Sequence, residues 1–115
     1  MIQHIEQGKF YSKAVVHNGV AYISGQIPVN TPDGSFEEQT RDVFAALDSA
    51  MQAAGTDKSK LLSVTIYLAD MNDFAAFNPL YLEWLHGLDL PARATVQAAP
   101  VAPQYKIEIA VIAAV

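Results

Sequence analysis

The sequence predicts an α+β domain in which two helices pack on one face of a sheet. Three observations carry this: an early hairpin signal, two amphipathic helical stretches flanking an alternating strand, and two further alternating segments near the end. A chain of 115 residues with 51% hydrophobic content fits one domain over residues 1–115, with one core and no internal linker.

The elements follow in order. "KAVVHNGVAYISG" places Asn18-Gly19 between two runs of β-branched and aromatic residues, predicting a hairpin over 13–25. "PVNTPDGS" then collects turn formers and leads into Ser35, which with Glu38 has the spacing of a capping box. Phe36, Thr40, Val43, Phe44, Leu47, Met51 and Ala54 recur at helical spacing, with Gly55 where a left-handed terminator belongs, so a helix is expected over 36–54. "LLSVTIYLAD" alternates as a strand, with Leu62, Val64, Ile66 and Leu68 on one face and Ser63, Thr65 and Tyr67 on the other. In "MNDFAAFNPLYLEWLHG", Phe74, Phe77, Tyr81, Trp84 and Leu85 share a side, predicting a second helix ending near Gly87. Proline is disfavoured inside a helix and welcome at its first position. Pro79 therefore suggests a turn at 73–77 followed by a helix capped by Asn78. Strands near 93–98 and 106–113, separated by "PVAPQ", complete the order.

Composition excludes several function classes. There is no cysteine, hence no disulfide framework, thiolate nucleophile or sulfur-based zinc cluster. His4, His17 and His86 lack the spacing of a metal site, so no metal is expected. A net charge of −5 without a lysine and arginine block argues against general nucleic-acid binding. The start "MIQHIEQGKFYSK" has no basic segment followed by an apolar run, and no stretch is long and apolar enough to span a bilayer. A soluble cytoplasmic protein without membrane partners is the expectation. No serine sits in a nucleophile-elbow pattern and no glycine loop has phosphate-binding spacing. By residue type alone, Tyr11 and Ser24 read as packing and turn residues.

In the last two strands Ala94, Val96 and Ala98 alternate with Arg93, Thr95 and Gln97, and Ile107, Ile109 and Val111 alternate with Glu108, Ala110 and Ile112. If the all-apolar faces lie beneath the helices, Arg93 and Glu108 both look out from the helix-free face, beside Ser63, Thr65 and Tyr67. Ile112, Ala110 and Tyr67 are poor residues to leave in water, so another subunit is expected to cover that face. Clefts between subunits lined by Arg93 and Glu108 would suit a small anion. The alternative is that the guanidinium and carboxylate simply pair across a subunit interface.

Five segments resemble the RidA/YjgF family of enamine and imine deaminases across nearly the whole chain: "YSKAV" at 11–15, "ISGQIPV" at 23–29, "DMNDFAAFNPLY" at 70–81, "PAR" at 91–93 and "KIEI" at 106–109. The resemblance implies a chorismate-mutase-like subunit assembled as a homotrimer, with an active site in each inter-subunit cleft. It further implies that Arg93 holds the substrate carboxylate, Glu108 positions or activates water, and Tyr11 enters from the adjoining subunit. Ser24, Gly25 and Asn78 match positions near the cleft, and Thr95 falls with them where the family commonly has cysteine. The implied reaction is cofactor-independent hydrolysis of 2-iminopropanoate, 2-iminobutanoate and their enamine tautomers to 2-oxo acid and ammonia, clearing reactive intermediates of amino-acid metabolism. Phe10 stands where the family typically has proline, Ala94 where serine is common, and Ala110 replaces a frequent second glutamate. Two alternatives remain: a trimeric binder or sensor of small 2-oxo acids without turnover, and the ribonuclease or translation-inhibitor role attached to some relatives, which the acidic balance opposes.

Overall fold

Residues 1–115, all described by the computed structural model, form β1 (Gln3–Gln7), β2 (Ser12–His17), β3 (Val20–Gln26), α1 (Phe36–Ala53), β4 (Leu61–Leu68), α2 (Phe74–Trp84), β5 (Ala92–Gln97) and β6 (Ile107–Ala114). The strands make one sheet in the order β1-β2-β3-β6-β4-β5. Neighbours are antiparallel except β4 and β5, whose parallel pairing uses α2 as the crossover. Both helices pack on one face, as expected. No helix is long and apolar enough to cross a membrane.

The β2–β3 turn has Asn18 at φ 51° and Gly19 at φ 76°, the left-handed pair that matches the twist of a tight hairpin. β1 was not anticipated: "QHIEQ" has one partly buried apolar residue, Ile5, and forms the sheet edge by backbone pairing to β2. At the start of α1, Ser35 Oγ accepts from Glu38 N and Glu38 accepts from Ser35 N, completing the capping box. At its end Gly55, at φ 84°, lets Thr56 N donate to Met51 O and Gly55 N to Gln52 O. Buried Gln39 ties this helix to its surroundings, donating to Pro32 O at 3.0 Å and Gln104 O at 2.9 Å and accepting from Lys106 N at 2.7 Å.

The second helix corrects the sequence expectation. A 3-10 turn at Met71–Asp73 runs directly into α2, Pro79 lies inside the helix, and Asn78 is a mid-helix residue rather than a cap. Packing overrides the proline: Phe77, Tyr81 and Trp84 are buried, and Trp84 stacks on Phe44 of α1 at 4.4 Å.

Val64, Ile66 and Leu68 of β4 and Ile107, Ile109 and Val111 of β6 line the core beneath the helices. Leu62, expected among them, is 48% exposed, because the β4–β6 register shifts between Leu61 and Ser63 and Leu61 packs against the core instead. β5 departs further from expectation. Arg93 pairs with Val64, Thr95 with Ile66 and Gln97 with Leu68, so these three face the helices while Ala92, Ala94 and Val96 face away. Gln97 Oε1 accordingly accepts from Met71 N at the approach to α2, at 2.9 Å. Glu108 pairs with Tyr67 on the helix-free face, as expected. That face also carries Thr65, Ala110, Ile112 and the exposed Tyr22 and Val96, and no element of the chain covers it.

Candidate functional site

Glu108 is placed by β6 and shaped by β3. Ile23 pairs with Val111 and Gln26 with Ile109, so Ser24 and Gly25 together oppose Ala110 in a β-bulge. The bulge turns Gly25 toward Glu108: a Cβ there would lie 2.2 Å from Glu108 Oε2. Only glycine admits the carboxylate in this position. Ser24 Oγ donates to Lys13 O at 3.0 Å and Gln26 Nε2 donates to Ser24 O at 3.0 Å, which fixes the bulge. Beside it the loop between β1 and β2, closed by Gly8 N donating to Tyr11 O at 2.8 Å, holds Tyr11 69% exposed. Tyr11, Phe10, Lys13, Ser24 and Gly25 share a cleft of about 420 Å³. Lys13 pairs there with Glu6 at 3.0 Å.

Arg93 is built differently. Its Nη1 donates to Asn78 Oδ1 at 2.9 Å, and its guanidinium carbon lies 5.0, 5.7 and 5.8 Å from the ring centroids of Tyr81, Phe74 and Phe77. One amide acceptor and an aromatic bed orient the plane and leave most of its five N–H donors for a ligand. The chain's ion pairs involve Lys13 and Arg41, so Arg93 has no carboxylate partner. Arg93, Asn78, Tyr81, Leu82, Leu90 and Pro91 line a second cleft, of about 350 Å³. Burial raises the Tyr81 pKa and the Arg93 charge partly offsets this, so Tyr81 stays a neutral hydroxyl donor. Tyr81 Oη and Thr95 Oγ1 are buried on this side without hydrogen-bond partners.

The seven residues singled out from sequence thus fall into two groups. Tyr11, Ser24 and Gly25 share the first cleft, with Glu108 against Gly25, while Arg93 and Asn78 share the second, with Thr95 on the same face of β5 as Arg93. The expectation that Arg93 and Glu108 face the same way is overturned: they occupy opposite faces, on strands separated by β4 and so roughly 9–10 Å apart across the sheet. One chain alone cannot bring them to one ligand. Sequence reasoning missed the aromatic bed under Arg93; the signal that could have found it is the recurrence of Phe74, Phe77 and Tyr81 on one side of the second helix. No group of three or more His, Asp or Glu side chains is arranged to hold a metal ion.

The family model described as Endoribonuclease L-PSP matches residues 1–115. The chain is 40% identical over 114 residues to RutC family protein YoaB of Escherichia coli K12, covering 99% of this chain and 98% of that one. It is 38% identical over 112 residues to a RutC family protein of Haemophilus influenzae, covering 97% of each. Among solved structures it resembles a YjgF-family protein from Neisseria meningitidis, with TM-score 0.93, 36% identity and coverage of 99% and 94%. It also resembles a Rid-family protein of unknown function from Yersinia pestis, with TM-score 0.91, 34% identity and full coverage of both chains. A fold and a sequence match that both run the whole length place this chain in the RidA/YjgF family.

Proposed function

We propose that this chain is a cofactor-independent hydrolase of short 2-imino acids and their enamine tautomers, with each active site completed between identical subunits. One subunit supplies Arg93, Asn78 and Thr95, and its neighbour supplies Glu108, Gly25, Ser24 and Tyr11. The observation that carries this reading is the segregation of an unpaired guanidinium and an unpaired carboxylate onto opposite faces, beside an uncovered, largely apolar sheet face. The two half-sites are different patches, so joining them is a head-to-tail contact. Such contacts close into rings, and a homotrimer repeats the junction three times.

The chemistry suits the residues. Arg93 grips the substrate carboxylate through parallel hydrogen bonds and fixes the C=N carbon relative to a water held by the neighbour's Glu108. As the water oxygen bonds to that carbon the C=N π pair moves to nitrogen, and Glu108 takes the water proton and passes it to that nitrogen, giving a carbinolamine. The hydroxyl proton then passes by way of Glu108 to nitrogen as the C–N bond breaks and C=O forms, releasing ammonia and the 2-oxo acid. The imine is already electrophilic, and acid–base assistance of typically 10²–10⁴-fold plus orientation is the help it needs.

A carboxylate sensor without turnover would need Arg93 and not Glu108. The name of the family model attaches RNA cleavage to relatives, but a chain of net charge −5 offers phosphate backbones little attraction. The test generates 2-iminopropanoate or 2-iminobutanoate with a dehydratase and follows 2-oxo acid release. Wild type is expected to exceed the uncatalysed rate, with Arg93→Ala and Glu108→Ala both near background. Wild-type release equal to background rejects the hydrolase. Full activity in Glu108→Ala removes the proposed role of the carboxylate.

A further inference from the structure

The cleft beside Arg93 contains more than a cation. Its other side is apolar: Leu82 of α2, together with Leu90 and Pro91 of the segment leading into β5, shares the space with the guanidinium, the Asn78 amide and the Tyr81 ring. Leu82 and Leu90 are 54% and 61% exposed, so two large aliphatic side chains flank one charge and form an apolar patch with Pro91. Tyr81 is only 4% exposed, lines the same cleft, and its hydroxyl has no hydrogen-bond partner. A buried hydroxyl left unpaired is unfavourable, and a carboxylate entering beside Arg93 supplies the acceptor it lacks. An anchored cation, an unsatisfied donor and a facing aliphatic wall describe an amphipathic ligand, with a carboxylate at one end and a hydrocarbon side chain at the other. The volume of about 350 Å³ also exceeds what a three-carbon acid fills.

We propose that the Leu82–Leu90–Pro91 wall is a side-chain subsite, and that this protein prefers 2-imino acids with branched aliphatic side chains over the three-carbon compound. The inference rests on the carboxylate-binding role of Arg93 proposed above and extends it to substrate class. Placing three added carbons against a half-open apolar wall favours the larger acid about tenfold, since each fully buried methylene contributes roughly fourfold.

The test measures binding of two product-like probes by calorimetry, 2-oxo-4-methylpentanoate and 2-oxopropanoate, to wild type, Leu82→Gln, Leu90→Gln and Arg93→Ala. The substituted leucines are exposed, so the fold tolerates glutamine at both. The expected result is about tenfold tighter wild-type binding of the branched acid, a ratio near one in either glutamine variant, and loss of both acids in Arg93→Ala. Equal wild-type affinities overturn the subsite while leaving the Arg93 carboxylate site standing. A tenfold preference that survives in both glutamine variants overturns its assignment to this wall. Failure of wild type to bind either acid overturns the subsite and the reading of Arg93 together.

Discussion

Gly25→Ala probes the placement of the carboxylate without touching the carboxylate itself. The new Cβ would stand 2.2 Å from Glu108 Oε2 and 3.0 Å from its Cδ, whereas ordinary contact begins near 3.4 Å, so the oxygen must retreat by about 1.2 Å. The obstacle is the tip of a flexible side chain, and the fold absorbs the change by rotating Glu108. A rotamer pushed off its minimum costs about 0.5–1.5 kcal/mol. Gly25 is not at positive φ, so the loss of unfolded-chain freedom returns about 0.4–1 kcal/mol. Stability should therefore change by less than about 1 kcal/mol. Misplacing a reacting group by about 1 Å costs on the order of a hundredfold in rate. In the coupled imine assay kcat is expected to fall about a hundredfold, while 2-oxo acid affinity, set by Arg93, stays within about twofold. Wild-type kcat in a folded Gly25→Ala variant would refute the claim that Glu108 acts from its observed position.

Other consequences concern the scaffold. Gln39→Ala removes the bonds from a buried side chain to Pro32 O and Gln104 O and leaves the half-buried Lys106 N without its acceptor, so it should cost roughly 3 kcal/mol. Urea unfolding with a lowered midpoint and an unchanged slope would show it, and an unchanged midpoint would contradict it. Acid stability has a definite sign. Hydrogen bonds from Ser35, from Ser59 and from Arg41 lower the pKa values of Glu38, Asp57 and Glu83 respectively. The unfolded chain binds more protons at these sites, so their stabilisation is present above the ordinary carboxylate pKa of about 4 and is lost as pH falls through the lowered values. Asp73 runs the other way: burial first, then the Asp70 charge, raises its pKa, and its contribution is lost as pH rises through that value. Glu38→Gln removes this carboxylate's titration while keeping an acceptor for Ser35 N, so its melting temperature should fall less steeply than wild type between pH 5 and 2, and parallel curves would contradict this.

Much of the fold was legible because local chemistry and tertiary demand agree. Asn18-Gly19 supplies the two left-handed residues of its turn, and Ser35, Glu38 and Gly55 mark the ends of α1 to within a residue. β1 was silent because an edge strand paired through its backbone needs no apolar alternation, and "QHIEQ" has none. α2 was misdivided because Pro79 signals a break locally, whereas the buried aromatic residues around it keep the helix whole. The candidate site residues were legible as residues and not as an arrangement. Period two states which side chains share a face of β5 and cannot state which face the helices cover. At this edge strand the register with β4 put Arg93, Thr95 and Gln97 toward α2, where Asn78 and three aromatic rings receive the guanidinium and a backbone N–H meets Gln97. The apolar-inward rule failed at this strand because the register with β4 decided the face, and it left Ala94 and Val96 outward.

Subunit complementation tests the shared-site claim most directly. Arg93→Ala and Glu108→Ala chains, each inactive alone, are co-refolded or co-expressed in equal amounts so that subunits mix at random. Each junction then has a one-in-two chance of receiving an intact Arg93 from one side and a one-in-two chance of an intact Glu108 from the other. About a quarter of wild-type activity is expected to return. Activity no higher than that of the separate variants, in assemblies shown to be mixed, would contradict a site shared between subunits.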